Sequence, residues 1–442
     1  MRAAFSWVAG ATLLLANASP LPAQAEQSGE ESTCLTFDSA IALALARSPE
    51  IGLATAQASR AEADLRAAKS TARPQLSTFL RTQAGDNNLT GAGLENSAGL
   101  RLSQRVFDFG IGGLEKRSAR AALAARGFDV ANARTEAALD TKLALIGMAE
   151  IAARMEVTAE REAYFARERS GVAEALTLGG ATRSELAEIE ARLADAAADR
   201  LELAFERDRL SAALSRQIGT LAPLCSGALA QLGATPDTGI VEAVDAALTA
   251  NPRIGAATQQ LAAEEAQAQR ARRNRLPVIE VVGIASYARD NVVGGEFGLR
   301  ERVGIDVTIP LVTGGRLQAD QLRGAADVQA RSSELQRLRL DIAEQVEVAA
   351  RRIVSLRGQL AQREQVVARQ AEQFTAAESE FAEGLRTLPD LVEDRLELES
   401  VRIEAVTARF ALLREIALLQ ALTGRLQPAA PLPSEPVYGP SD

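Results

Sequence analysis

The stretch "IDVTIPLVTGGRLQAD", residues 305–320, changes from one structural pattern to another within a few positions. In its first part apolar residues alternate with polar ones, which is the period of a half-buried strand. Pro310 and the Gly314-Gly315 pair then interrupt this pattern, and a long helical run begins near Leu317. The sequence therefore predicts a short strand that leads directly into a very long helix.

The same transition occurs a second time, because the chain contains an internal repeat. The stretch "LRLSQRVFDFGIGGLE" at 100–115 has the same order of features, and "FDSAIALALARSPEI" at 37–51 is similar to "VEAVDAALTANPRI" at 241–254. Prolines and glycines recur at a constant spacing apart from one two-residue insertion, which indicates a tandem duplication. The corresponding pairs are Pro49 and Pro252, Pro74 and Pro277, Gly110 and Gly315, Gly179 and Gly384, and Gly219 and Gly424.

Two alternating segments follow the second proline of each repeat. We expect strands at about 75–84 and 98–106 in the first repeat, and at about 278–288 and 299–309 in the second. Each has about the ten residues that a tilted strand needs to cross a bilayer. The clearest strands have one apolar and one polar face, as a membrane barrel requires. The apolar faces include Ala98, Leu100, Leu102, Val303, Ile305, Val307 and Ile309, and the polar faces include Arg101, Ser103, Arg105, Arg302, Asp306 and Thr308.

Each strand pair is followed by a long proline-free stretch that is typical of coiled-coil helices. The two stretches begin at Leu114 and Leu317 and continue to about 170 and 383. Apolar residues recur every seven positions in the second stretch and in the segment that returns from it, so these two helices should pack antiparallel. A soluble helical bundle would also explain the heptads, but not four amphipathic strands at repeat-related positions. The recurring residues are Val346, Ile353, Leu360, Val367, Phe374 and Phe381, then Leu391, Leu398, Ala405, Leu412 and Leu419.

Four strands are too few to close a barrel, and open strand edges are not tolerated in lipid. The pattern therefore predicts that the chain oligomerises. Three copies would supply twelve strands, enough for a hollow pore that continues into helices. The predicted fold class is mixed and mostly α, with four transmembrane β-strands and long antiparallel coiled-coil helices in each chain.

The composition argues against several functional classes. The 442 residues have a net charge of -9 with both signs interspersed, so the concentrated basic surface that nucleic-acid binding requires is missing. The sequence contains no histidine, which removes the usual general base and the commonest transition-metal ligand. We expect no catalytic residues, no cofactor and no metal site, and therefore no enzymatic activity.

Residues 1–25 have the pattern of an export signal. Arg2 precedes the apolar stretch "WVAGATLLLA", and "AQA" ending at Ala25 is a small-x-small cleavage site. The apolar stretch is too short for a membrane-spanning helix; an uncleaved anchor is the alternative. No cysteine follows closely enough for lipid attachment. Export would place Cys34 and Cys225 in an oxidising compartment, where a disulfide between them and two unpaired thiols are both open.

Taken in this order and twice over, the motifs resemble those of the TolC-type outer-membrane efflux and secretion proteins, the outer membrane factor family. The resemblance implies a homotrimer with a twelve-stranded barrel in the outer membrane of a Gram-negative bacterium and an α-helical barrel across the periplasm. The matching stretches are "AIALALARSPEI", "RPQL", "RVFDFG", "IPLVTGG", "GGATRSELAEIEARLADA", "GLRTLPDLVEDRLELESVRIEA" and the later "LTG".

The family resemblance also implies a function and partners. Such a chain is a passive exit duct of a tripartite system for type I protein secretion or multidrug efflux. A periplasmic adaptor (membrane fusion) protein and an inner-membrane ABC or RND pump open it at the periplasmic tip. A periplasmic helical adaptor or a structural coiled-coil protein without a pore is the alternative function, although an adaptor needs one long coil and small β domains. Neither the substrate nor the particular pump follows from the sequence.

The resemblance assigns a periplasmic gate to the tip of the second hairpin. Asp390 and Glu393 match the acidic constriction of the family and lie three residues apart, on one helix face. Threefold symmetry would turn them into two carboxylate rings that favour cations. The alternative is that they are ordinary acidic residues in the first turn of a helix.

Further gate and turn residues follow from the same resemblance. Arg386 matches an arginine that ties this coil to its neighbour when the tunnel is shut, with Ser184 and Glu185 as the expected partners. Gly179 and Gly384 precede the returning helices, where a tight turn is needed. Adaptors of the family dock on these hairpin tips.

These expectations divide the chain into segments. Each repeat contains helices, a strand pair and a coiled-coil hairpin, the hairpins at about 114–218 and 317–424. The expected segments are a signal peptide at 1–25, an N-terminal segment at 26–36, a first repeat at 37–220, a linker at 221–239, a second repeat at 240–426 and a disordered proline-rich tail at 427–442.

Overall fold

The computed structural model describes most of both repeats, namely residues 36–87, 91–219, 239–289 and 297–426. This part is mostly helical with one antiparallel sheet, which confirms the predicted fold class for the single chain. Several predicted features lie outside the described residues: the signal peptide at 1–25, most of the segments at 26–36 and 221–239, the tail at 427–442, and Cys34 and Cys225.

The two repeats have the same order of elements. The first contains α1 (Phe37–Arg47), α2 (Pro49–Ser70), β1 (Gln75–Asn87), β2 (Gly91–Phe107), α3 (Ile111–Thr177) and α4 (Arg183–Ile218). The second contains α5 (Ile240–Ala250), α6 (Pro252–Arg273), β3 (Val278–Arg289), β4 (Phe297–Thr308), α7 (Arg316–Ala382) and α8 (Leu388–Leu422).

The short helices at the start of each repeat are joined in the same way. Ser48 and Asn251 are the N-caps of α2 and α6, and each is followed by proline at the first helical position, where the missing N–H costs nothing. The Asn251 side chain accepts from the backbone N–H of Arg253 at 3.0 Å and donates to the carbonyl oxygen of Leu422 at 3.1 Å. This second bond attaches the start of the repeat to its end.

The four strands form one antiparallel sheet in the order β1-β2-β3-β4. The register is regular except for one irregularity between Arg105 and Phe107, where β2 pairs with β3. Strands β1 and β4 are the two edges, so each has one side without a partner strand in the single chain.

The turn from β2 into α3 explains how a strand can lead directly into a helix. The Asp108 carboxylate accepts a hydrogen bond from the backbone N–H of Gly110 at 3.0 Å. Phe109 and Gly110 have φ angles of 52° and 82°, in the left-handed region that side chains disfavour. The equivalent residues Gly314 and Gly315 have φ angles of 57° and 86°. The second repeat therefore makes the same turn with two glycines.

The long helices form two hairpins of matching length. Helices α3 and α7 each contain 67 residues, which corresponds to about 100 Å. Gly179 and Gly384, with φ angles of 77° and 75°, lie in the turns that follow these helices. Thr182 and Thr387 cap the returning helices. The tips of both hairpins are thus built in the same way.

The predicted heptad residues lie between α7 and its neighbours. Val346, Ile353, Phe374, Leu391 and Leu398 are buried, and the remaining members are partly buried. Near the sheet-proximal half of the hairpin they join α5 and α6, and near the tip they join α3 and α4. None of the described helices combines the length and apolarity required to span a membrane.

Candidate functional site

The register of the sheet divides its side chains into two faces, because residues two apart on a strand point the same way. Leu102 lies opposite Leu76 on one side and Gly283 on the other, and Gly283 lies opposite Val303. We call this side the apolar face; Glu301 is an exception on it. The exposed apolar residues on it include Leu76, Leu80, Leu100, Leu102, Val281, Tyr287, Leu299, Val303, Ile305 and Val307.

The opposite side, which we call the polar face, carries most of the charged side chains of the sheet. Arg101 lies opposite Ser77 and Ile284, and Ile284 lies opposite Arg302. Arg105 lies opposite Glu280, which lies opposite Asp306. The polar residues that the alternation predicts therefore share one face of the sheet.

The polar face is linked to the strand-to-helix turn by Arg105. Its guanidinium lies 3.7 Å from the Asp108 carboxylate and 3.6 Å from the Glu280 carboxylate. At the helix-proximal end of the sheet, therefore, arginine and carboxylates are mixed and partly compensate one another.

The tip of the second hairpin presents Asp390 and Glu393 at the start of α8, and both are exposed. The Asp390 carboxylate accepts a hydrogen bond from the Thr387 hydroxyl at 2.5 Å, and its backbone N–H donates to that hydroxyl at 3.4 Å. Asp390 therefore contributes to the helix cap. The geometry is compatible with both interpretations that the sequence left open.

Arg386 has partners other than the expected ones within the chain. Its guanidinium lies 3.2 Å from the Glu380 carboxylate and also contacts the Asp394 carboxylate. Glu185 instead accepts from the backbone N–H of Thr182 at 2.7 Å, as part of a capping box at the start of α4. The expected pairing of Arg386 with Ser184 and Glu185 is thus not made within the single chain, because both sides are held by their own hairpins.

Beneath the tip lies an aromatic cluster that the sequence reasoning missed. Arg395 lies over the rings of Tyr164 and Phe374, 5.1 Å and 5.5 Å from their centroids. Tyr164 and Phe374 pack edge to face with centroids 5.6 Å apart. These contacts join α3, α7 and α8, so the helices beside the acidic tip are packed against one another. The cluster brings together residues far apart in sequence, and only the heptad position of Phe374 indicated it.

The comparisons with known proteins agree with this architecture. Residues 243–425, most of the second repeat, match the family described as outer membrane efflux protein. The matched part contains α6, β3, β4, α7 and α8, and the first repeat has the same elements in the same order. No curated protein sequence matches the chain.

Three solved structures show the same fold over nearly the whole chain. The Campylobacter jejuni outer membrane channel CmeC matches with a TM-score of 0.76 at 15% identity, over 94% of both chains. CusC, a protein whose conformational changes accompany folding and transmembrane channel formation, matches with a TM-score of 0.75 at 18% identity. The match covers 90% of this chain and 95% of the CusC chain. The Vibrio cholerae outer membrane protein VceC matches with a TM-score of 0.75 at 18% identity, over 88% of this chain and 97% of the VceC chain. The outer membrane efflux protein fold thus extends beyond the matched domain.

Proposed function

We propose that three copies of this chain form a passive exit duct in the outer membrane of a Gram-negative bacterium. The single observation that carries the proposal is the open four-stranded sheet with one apolar and one polar face. Strands β1 and β4 cannot remain unpaired in lipid, and pairing between copies closes them into a twelve-stranded barrel. The apolar face then contacts lipid and the polar face lines water.

The two helical hairpins extend the duct into the periplasm. With α3 and α7 at about 100 Å each, the tips lie far beyond the membrane. There a periplasmic adaptor joins the duct to an inner-membrane ABC or RND pump, and the pump supplies the energy. Type I protein secretion and multidrug efflux both fit such a duct, since the pump selects the substrate.

The periplasmic mouth is closed at the second hairpin tips. Threefold symmetry places Asp390 and Glu393 in two acidic rings, and like charges at close range favour bound cations. Arg386 holds the tip of its own hairpin in shape through Asp394 and Glu380. Opening moves the second hairpin tips outward. They then move away from Ser184 and Glu185, which are polar residues at the tip of the first hairpin.

Planar-bilayer recording tests this gate. We expect Asp390→Ala combined with Glu393→Ala to raise single-channel conductance, because the charged constriction is removed. Asp390→Glu with Glu393→Asp conserves the charge and should leave conductance near that of the wild type. Unchanged conductance in the double alanine variant would argue against the gate.

The duct itself is tested by the wild-type protein. Detergent-extracted protein should run as a heat-modifiable trimer in the outer-membrane fraction and should make liposomes permeable. A lone subunit that never forms pores would instead support the alternative of a periplasmic adaptor or a structural coiled-coil protein.

A further inference from the structure

The polar face of the sheet becomes strongly basic with distance from the helices. Arg101 and Arg302 flank Ile284 in one row of the register, about 10 Å apart across the intervening strand. Arg300 and Arg81 lie on the same face, further towards the hairpin turns. Arg300 lies opposite Ser286, and Arg81 lies opposite Ser97.

The carboxylates of this face lie elsewhere. Glu280 and Asp306 share the row of Arg105, and that row is four residues, or about 13 Å, closer to the helices than the row of Arg101. This separation exceeds the Debye length of about 8 Å at physiological ionic strength. Among the side chains that the structure describes, none on the polar face beyond that row is acidic.

The two arginines of the Arg101 row have no acidic partner among the described residues. Arg81 lies over the ring of Phe79, with 5.9 Å from guanidinium carbon to centroid, a contact with an uncharged ring. We call Arg81, Arg101 and Arg302 the arginine band.

We infer that the arginine band makes the outer part of the duct attract anions, in contrast to the acidic periplasmic mouth. This inference rests on the proposed trimer, in which the polar face lines the lumen and each arginine occurs three times around it. A water-filled lumen with low-dielectric walls concentrates the field of such charges, and rings of arginine favour anions. The class of solute that it favours is anionic, such as phosphate-bearing or carboxylate-bearing molecules leaving the cell.

Ion selectivity in planar bilayers tests the band separately from the duct. The measurements use the Asp390→Ala, Glu393→Ala background, so that the acidic mouth does not dominate the reversal potential in a KCl gradient. We expect Arg101→Gln with Arg302→Gln to lower the chloride-to-potassium permeability ratio by about twofold or more. Arg101→Lys with Arg302→Lys retains the charge and should keep the ratio of the parent.

A polyanion applied from the barrel side provides a second readout. Tripolyphosphate should reduce the current through the parent and the lysine variant, and should do so much less in the glutamine variant. Pores whose permeability ratio and tripolyphosphate block are the same in all three proteins would overturn the inference while leaving the duct intact. Absence of any pore would instead contradict the proposed function.

Discussion

Gly99 occupies a position where β2 and β3 approach each other too closely for a side chain. A β-carbon there would lie 2.5 Å from the carbonyl oxygen of Ala285 and 2.8 Å from the Cα of Ser286. Both are backbone atoms of the paired strand, so they can move only if the ladder opens. Glycine within a strand often marks such a close approach.

We therefore expect Gly99→Ala to reduce the stability of the folded protein by about 1–3 kcal/mol, the usual cost of overpacking. The measurement is the melting temperature of the detergent-purified protein. Gly304→Ala on β4 is the matched control, because a β-carbon at Gly304 meets nothing within 4 Å. Equal melting temperatures for the two variants would show that the ladder adjusts without cost.

Single residues of the tip were only partly predictable. The spacing of Asp390 and Glu393 places both on the exposed face of α8, and the structure agrees on their exposure. The partner of Arg386 was not predictable, because the turn at Gly384 folds the arginine back beside Asp394 and Glu380. Heptad patterns describe helix faces, whereas such a contact depends on the geometry of the turn.

At the scale of the elements, ion pairs around the buried Arg161 join three long helices. Arg161 on α3 contacts Glu399 on α8 at 3.1 Å and Asp199 on α4 at 2.5 Å. Glu399 is only 5% exposed. Burial raises the pKa of the Glu399 carboxyl, although Arg161 and Arg395 oppose this effect.

This pKa shift predicts a pH dependence of stability with a definite sign. Below the ordinary pKa of 4.5 the Glu399 carboxyl is protonated in both the folded and the unfolded chain. As the pH rises, the unfolded chain loses its proton first, so the stability contributed by this group is progressively lost up to the raised pKa of the folded state. Glu399→Gln removes this loss.

We expect the melting temperature of Glu399→Gln, relative to that of the wild type, to improve as the pH increases from about 4 to 8. Glu397→Gln on the same helix changes an exposed carboxyl and should show no such trend. A difference between Glu399→Gln and wild type that is constant with pH, or that moves the other way, would refute the assignment.

The elements themselves followed closely from periodicity, with one instructive difference. The alternation predicted a strand at 98–106, but β2 extends over Gly91–Phe107. The added part, "GAGLEN" at 91–96, has the composition of a turn. It is extended because it pairs residue by residue with the end of β1, and pairing between strands is not visible in local composition.

At the scale of the whole molecule, α4 presents an apolar surface that the single chain does not cover. Leu201 and Phe205 lie four residues apart on one helix face and are 66% and 64% exposed. Exposed apolar patches of this kind mark contacts between proteins. We expect this surface to lie against a neighbouring copy in the proposed trimer.

Leu201→Glu with Phe205→Glu should therefore reduce the trimer fraction measured by light scattering in detergent. The helical content from circular dichroism should stay unchanged, since neither side chain is buried in the single chain. Leu201→Met with Phe205→Leu preserves an apolar surface and should still assemble. Full trimerisation of the glutamate variant would show that α4 faces water in the assembly.

The open edges of the sheet were the part of the whole molecule that strand counting could anticipate. Four strands cannot close on themselves, and the sheet indeed ends in two open edges, β1 and β4. The surface that we expect to meet a neighbouring copy was not predictable, because Leu201 and Phe205 resemble core residues in a helical pattern. A single sequence does not distinguish burial within a chain from burial between chains.

The equal lengths of α3 and α7 limit how this molecule can vary. Each of these helices contains 67 residues, so the first and second hairpins have arms, α3 and α7, of the same length. Inserting one heptad into a single arm would displace its end by about 10 Å and turn a flat rim into a stepped one. We therefore expect a change in the length of one hairpin to be tolerated when the other hairpin changes by the same amount.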